Sequence, residues 1–394
     1  METTAAFRGL ACRECGGRHE PEDATGRCPD CGGILDSEYD LDAVDADAFL
    51  AGGDPGSMWD YDALLPFPRD VAVAMGEGAT PFVECPRIAG ELGVERVYLK
   101  DEGGNPTGAV ADRGVSLALT AAVETGASDV SLASSGDDGH AVAAYAARAG
   151  LGAHVFVPSR AGFVQKAMVN VHGGDMTVVE GRLREAQDSH RDALADESDW
   201  RPVDAFASPY RHEGLKTVLY EVVATLDDVP DAVVWPTGEG AGVVAGAKAS
   251  AELRGLGCIE TVPRLYAAQA SGCAPSANAI DDGGPVQAWD HPDTICAGIE
   301  VPDPAAGDWA VEAVRESGGG GVATDDPAIL ESAVTVAEHE GLSTSPSGAA
   351  AASGAWKLAE RGAFDPDDTV VLVNTAAGSK TADVLRSHLM GQGV

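Results

Sequence analysis

The chain of 394 residues carries 26 Lys and Arg against 63 Asp and Glu, a formal net charge of −37 with histidine neutral, and 44% of it is apolar. That length is too great for a small disulfide-stapled module and suits two or three domains, while no apolar run approaches the roughly 18 to 20 residues of a membrane span. With six lysines and no basic block, neither nucleic acid nor an anionic membrane is expected as a partner.

The first residues, Met1-Glu2-Thr3-Thr4-Ala5-Ala6-Phe7-Arg8, include an early acidic residue and no apolar h-region. They do not read as a signal peptide, and a cytoplasmic location is expected. Next come two CxxC turns, Cys12-Arg13-Glu14-Cys15-Gly16-Gly17 and Cys28-Pro29-Asp30-Cys31-Gly32-Gly33, each followed by glycines that let backbone N–H groups turn toward sulfur. This is zinc-ribbon spacing, with Cys12, Cys15, Cys28 and Cys31 closing a tetrahedral site over residues 1–35. So short a segment cannot bury enough surface to fold alone, so the metal would supply its stability. Four sulfur ligands leave no open position, and the zinc reads as structural. Two disulfides or an iron–sulfur site are the alternatives. Cys85, Cys258, Cys273 and Cys296 are scattered and read as core residues.

An acidic linker is expected over 36–63, with short helices and a turn at Gly52-Gly53-Asp54-Pro55-Gly56. From about Leu64 the pattern predicts strands near 97–100, 130–133, 154–157 and 176–179, alternating with helices near 115–124, 140–149 and 161–172. Strands and helices at this spacing imply βαβ units and a parallel sheet. A second set follows, with helices near 216–226 and 245–254 around a strand at 232–235. The chain closes with a helix near 347–361, a strand at 369–374 and a helix near 381–390. Two α/β lobes are expected, a large one from 64–117 and 201–394 and a small one from 118–200, with a ligand cleft between them. Between the strand at 232–235 and the next helix, Pro236-Thr237-Gly238-Glu239-Gly240-Ala241-Gly242 presents bare N–H groups that can cradle a phosphate. A tight structural turn explains the same glycines equally well.

Read together, the motifs resemble threonine synthase and its relatives, the second fold type of pyridoxal-phosphate enzymes. The resemblance runs along nearly the whole chain, zinc-ribbon extension included. Gly76-Glu77-Gly78-Ala79-Thr80-Pro81 is similar to the family's opening, and Lys100-Asp101-Glu102-Gly103-Gly104-Asn105-Pro106-Thr107-Gly108 to the lead-in to its cofactor lysine. Asp112-Arg113-Gly114, Ala133-Ser134-Ser135-Gly136, Pro209-Tyr210-Arg211, the glycine loop, Ser345-Pro346-Ser347-Gly348-Ala349 and Thr375-Ala376-Ala377-Gly378-Ser379-Lys380 then fall in family order. The resemblance implies two parallel-sheet α/β lobes of the tryptophan synthase β-like architecture and conversion of O-phosphohomoserine to threonine. It also implies pyridoxal phosphate at Asp137, Gly238, Glu239, Gly240, Ala241, Gly242 and Thr375, the last bonding the pyridine nitrogen.

Departures from the family pattern shape the functional expectation. The family follows asparagine, proline, threonine and glycine with a short residue, an aromatic and lysine before aspartate-arginine; here those three positions are Ala109, Val110 and Ala111. The resemblance therefore puts Ala111 at the Schiff-base lysine. That lysine holds the cofactor aldehyde, yields it to the incoming amino acid and shuttles the α-proton, and a methyl group does none of this. Loss of a positioned general base alone costs about 10²- to 10⁴-fold. Lys100, Lys166, Lys216, Lys248, Lys357 and Lys380 all lie in other stretches. Asp137 stands where the family has an asparagine donor, and a carboxylate only accepts. Glu239 adds charge beside a dianion site, on the order of 3 to 6 kcal/mol at about 5 Å unless the side chain points outward. Because Ala109, Val110 and Asp137 depart together with Ala111, natural loss is favoured over a single engineered substitution.

The expected protein is therefore a pseudoenzyme or regulatory subunit, pyridoxal phosphate being held non-covalently at best. It would take an amino acid or phosphate ligand and form a homodimer or a hetero-oligomer with an active relative. The alternative is a pyridoxal-phosphate lyase with a substitute base such as His140, which otherwise reads as a helix-terminal or surface histidine. A zinc-dependent binding protein without a small-molecule site is a third reading. The net charge would strain a compact fold in dilute buffer but is screened in molar salt, where the Debye length is roughly 3 Å. A salt-rich, halophilic setting is expected, with an ordinary acidic protein as the alternative.

Overall fold

The computed structural model describes residues 1–23, 26–50, 56–196, 199–226 and 228–391; of the turn expected at 52–56, all but Gly56 lies outside them. The chain divides into two compact units. The first comprises Met1–Ala79, Ala111–Ala224 and Glu252–Cys258, the second Thr80–Val110, Thr225–Ala251 and Ile259–Val394.

The first unit holds two sheets. In the smaller, Phe7–Cys12 pairs antiparallel with Arg18–His19 on one side and Leu35–Tyr39 on the other. In the larger, four parallel strands lie in the order Asp175–Val179, Gly152–Pro158, Asp129–Ala133, Trp200–Pro202. Val130, Leu132 and Val155 on its inner strands are wholly buried, as expected where helices cover a parallel sheet. The helix Asp137–Ala149 ends at Gly150, whose φ of 72° permits the left-handed cap that closes onto the Ala146 and Ala147 carbonyls. Helices Ala111–Glu124 and Arg211–Leu226 meet backbone to backbone: a Cβ on Gly114 would lie 2.4 Å from the Arg211 carbonyl oxygen, and one on Gly214 would lie 2.2 Å from that of Arg113. The segment expected as a linker is anchored at both ends. Leu35–Tyr39 is a sheet edge, and Met58 and Trp59 share a core with Phe7, Leu10, Leu65, Phe67 and Leu117. Trp59 can be buried because its Nε1–H donates to Glu77 Oε1 at 2.7 Å.

The second unit is built on one six-stranded sheet in the order Gly320–Thr324, Arg264–Ala270, Ala232–Pro236, Thr369–Asn374, Arg96–Asp101, Phe82–Glu84. The last strand is an antiparallel edge, and the other pairings are parallel. Val97, Leu99, Val234, Ala268, Val322, Val370 and Leu372 form the core with the helix Pro346–Glu360. Ser345 caps that helix by accepting from Gly348 N, and proline occupies its first turn, where no N–H is needed. Among the described residues, no helix is long and apolar enough to cross a membrane.

Candidate cofactor elements and cysteine cluster

In the first unit the four N-terminal cysteines converge. Cys12 and Cys31 Sγ are 3.5 Å apart, Cys15 and Cys28 Sγ 3.8 Å, and all four sulfurs lie within 4.8 Å of one another. These separations are far from the roughly 2.05 Å of a disulfide. They suit a tetrahedron with metal–sulfur bonds of about 2.3 Å, whose edges are about 3.8 Å. The two knuckles repeat each other: Gly16 N donates to the Cys12 carbonyl at 2.9 Å and Gly32 N to that of Cys28 at 2.8 Å. Gly16 and Gly32 have φ of 70° and 78°, a conformation that favours glycine. Burial pushes the Cys12 thiol up to about 12. Burial also acts upward on Cys28, but N–H groups of Asp30 and Cys31 with the Cys12 and His19 side chains bring that thiol down to about 6. The donor set fits a closed divalent-ion site and could bind zinc. Cys85, Cys273 and Cys296 are buried and Cys258 is half-buried.

The second unit carries the glycine loop. The strand Ala232–Pro236, buried throughout, delivers it to the start of helix Ala241–Gly255, whose leading N–H groups have no intrahelical acceptors. The glycines are demanded by close packing. A Cβ on Gly240, which has φ of 93°, would lie 2.8 Å from Ala310 Cβ, and one on Gly242 would lie 2.6 Å from the Trp235 ring. Gly238 is held against Gly298 and Val301, at 3.2 and 3.1 Å by the same measure. Glu239 turns its carboxylate to the Ala305 N–H at 2.7 Å. Thr375 follows the strand Thr369–Asn374, and its carbonyl accepts the Val110 N–H at 2.8 Å. Ala377 N donates to the Gly108 carbonyl at 3.0 Å, and Lys380 Nζ to that of Thr107 at 2.8 Å, so residues 107–110 are pinned along 375–380.

The remaining sequence-singled residues lie in the first unit. Ala111, 7% exposed, opens the helix Ala111–Glu124. Two residues on, the buried Arg113 guanidinium grips Glu221 through 2.6 and 2.8 Å bonds and Thr217 Oγ1 at 2.7 Å. Ser134 Oγ accepts N–H bonds from Gly136 and Gly139 at 3.2 and 3.0 Å, shaping the start of Asp137–Ala149. Asp137 accepts from Gln165 Nε2 at 3.3 Å and Asp138 pairs with Arg211 at 2.6 Å. His140 is buried, its ring stacked on His172 with centroids 5.3 Å apart. Gln165 and the Glu221 counter-ion carry no local sequence signature and were not singled out by the pattern.

The glycine loop ends at a helix N-terminus, whose free N–H groups are chemically suited to an anion, and residue 111 carries a methyl group and no amine. Five lysines hold their amines against backbone carbonyls: Lys100 on Thr80, Lys166 on Ser159, Lys216 on Leu64, Lys357 on Ala323 and Lys380 on Thr107. Lys248 is half-buried on helix Ala241–Gly255.

The profile of the family described as "Pyridoxal-phosphate dependent enzyme" matches residues 73–376. Threonine synthase of Methanosarcina acetivorans is 33% identical over 369 residues, 93% of this chain and 90% of that protein. Threonine synthase of Methanocaldococcus jannaschii is 31% identical over 379 residues, 94% of this chain and 93% of that protein. Among solved structures, maize serine racemase matches with a TM-score of 0.68 at 21% identity, over 80% of this chain and 94% of its own, a likeness of fold. With the profile spanning most of the sequence and relatives above 30% identity along nearly all of it, the chain belongs to the family of pyridoxal-phosphate dependent enzymes and is threonine-synthase-like within it.

Proposed function

We propose that this threonine-synthase-like protein does not perform lysine-dependent conversion of O-phosphohomoserine to threonine and serves instead as a binding or regulatory member of its family. The observation that carries this reading is the alanine at position 111, directly before Asp112-Arg113. Bound pyridoxal phosphate supplies an electrophilic aldehyde and an electron sink for carbanion charge. Of this chain's own groups, the N–H donors of Gly238, Glu239, Gly240, Ala241 and Gly242 would hold the phosphate, and the Thr375 hydroxyl would orient the ring nitrogen. Asp137 offers acceptors only where the family has a donor. No amine at 111 is present to anchor the cofactor or to take the α-proton. The bound small molecule would be an amino acid or a phosphate ester, and the partner a second copy or an active relative. The cysteine cluster we read as a structural zinc ribbon.

The test is calorimetric titration of the wild type and of Ala111→Lys with pyridoxal phosphate, followed by borohydride reduction and peptide mass analysis. The variant should acquire a visible-edge absorbance band and covalent cofactor on residue 111, and the wild type neither. Covalent cofactor on the wild-type chain, or threonine formed by it from O-phosphohomoserine, overturns the proposal.

A further inference from the structure

Beside the four N-terminal cysteines, the short strand Arg18–His19 brings an imidazole to the cluster. Its antiparallel pairing sets His19 opposite Leu10, and His19 Nε2 lies 3.4 Å from Cys28 Sγ. Two glycines leave room for this approach. A Cβ on Gly9, which has φ of 103°, would lie 3.0 Å from the His19 carbonyl oxygen, and one on Gly17 would lie 3.3 Å from His19 Nε2. The ring is thereby packed against the sulfur, and its side chain is 11% exposed.

The ring stands outside the tetrahedron. The four sulfurs converge as one group, whereas among the described residues the converging group that includes His19 Nε2 holds Cys28 and Asp30 and none of the other three cysteines. Four thiolates already close the coordination of a zinc ion, so Nε2 is placed as a neighbour of one sulfur and not as a further ligand. A metal-bound thiolate has no proton to give, so at this contact the imidazole N–H donates and Cys28 Sγ accepts. Asp30 Oδ2 is 3.8 Å from the same nitrogen, beyond hydrogen-bond reach, and 71% of its side chain faces solvent.

Charge gives the contact its value. Four thiolates around one divalent ion leave a net negative charge, in a chain whose own charge is −37. On the other knuckle Cys12 Sγ meets the Glu14 carboxylate at 3.4 Å, a neighbour that accepts from a thiol but repels a thiolate. An N–H aimed at Cys28 draws electron density from its sulfur and offsets that repulsion. Resting on the reading of the cysteines as a structural zinc ribbon, we propose that His19 is the hydrogen-bond donor to the metal-bound Cys28 sulfur and sets how tightly the ribbon holds its metal. It is a positioning residue, acting on the ion through the sulfur.

The experiment titrates the zinc-loaded full-length wild type, His19→Leu, His19→Asn and His19→Gln against a colorimetric chelator and records cobalt(II) spectra of the same proteins. The wild type should hold one equivalent. His19→Leu should weaken it about 10- to 100-fold, and so should His19→Asn, a polar side chain that suits the surface but is too short to reach the sulfur. His19→Gln, whose amide nitrogen falls where Nε2 stands, should restore most of the affinity. With cobalt, the sulfur-to-metal charge-transfer band should move to lower energy in the leucine and asparagine variants while the d–d bands of a four-sulfur site stay in place, a shift that a merely structural role would not produce. A wild type that binds no metal refutes the ribbon reading and this inference with it. One equivalent held equally tightly by all the variants refutes this inference alone. So does a second equivalent that Asp30→Asn abolishes, or a change of the d–d bands on replacing His19, which would make the ring a ligand.

Discussion

The Arg113–Glu221 pair fixes the first turn of the helix that begins at residue 111, and breaking it should be costly. Arg113 is wholly buried and Glu221 nearly so, with paired bonds of 2.6 and 2.8 Å between them. At about 4 Å between charge centres and an effective dielectric of 20, their attraction is about 4 kcal/mol. Taking both charges out of water offsets most of that gain, so an apolar pair of similar volume would be about as stable. Removing one partner strands the other charge. Glu221→Leu and Arg113→Met should each therefore cost about 3 to 5 kcal/mol, while the double variant returns to within about 2 kcal/mol of wild type. Glu221 Oε1 also accepts the Ala79 N–H at 2.9 Å, so the leucine variant should be the worse of the two singles. Urea unfolding of the four proteins gives the midpoints and slopes needed. Single variants that lose under about 1 kcal/mol, or a double variant whose loss equals the sum of the singles, would refute the assignment of a desolvated, mutually dependent pair.

A strong chelator should remove one equivalent of zinc and unfold the N-terminal sheet, since structural zinc supplies about 10 to 16 kcal/mol in isolated fingers; metal analysis and circular dichroism check this, and a preparation free of metal with unchanged melting rules out the ribbon. The melting temperature should be higher in molar KCl than in dilute buffer, because salt screens the net charge of −37; equal values in a pair of calorimetric scans would count against a salt-rich setting. Burial holds His190 below its ordinary 6.5, partly opposed by Asp204. The folded chain therefore binds this proton less tightly than the unfolded one, and stability should fall as the solution is acidified through about pH 6.5. His190→Gln should flatten that slope. Burial raises Asp204 above the ordinary carboxylate value, which acts in the opposite sense from pH 3.8 upward, so the histidine's share is read from the difference between wild type and His190→Gln below about pH 6.5, and equal slopes there would refute it.

Where local pattern carries the information, the sequence was legible. The strands at 130–133, 154–157, 232–235 and 369–374 stand out as short apolar runs between polar turns, and each lies within a strand of the structure. Several helix starts were read too late. Asp137–Ala149 begins three residues before His140, where Asp137 and Asp138 suit the positive end of a helix. Ala241–Gly255 likewise begins inside the glycine loop. The strand Gly320–Thr324 and helix Asp326–Glu340 were not singled out, the first because two glycines open it. The cysteine cluster was readable, since all four cysteines lie within twenty residues at fixed spacing. Gln165 on Asp137, Arg211 on Asp138 and Glu221 on Arg113 join residues 28, 73 and 108 apart, contacts that no local pattern encodes.

The glycine loop shows why retained motifs and retained chemistry are separate questions. Gly240 and Gly242 are required because Ala310 and the Trp235 ring leave no room for a side chain. Selection for folding alone would therefore keep both, whether or not a phosphate ever enters. Glu239, by contrast, is free of that steric constraint and spends its carboxylate on the Ala305 N–H, so its charge is no measure of what the loop binds. The same reasoning applies to residues 107–110, pinned by backbone bonds to 375–380 through atoms that every residue type possesses. What packing does not demand is an amine at position 111, where a buried alanine opens the helix without strain. The family's shape thus rests on groups that the fold itself protects, and under the proposed function a lysine could be lost from position 111 without disturbing them.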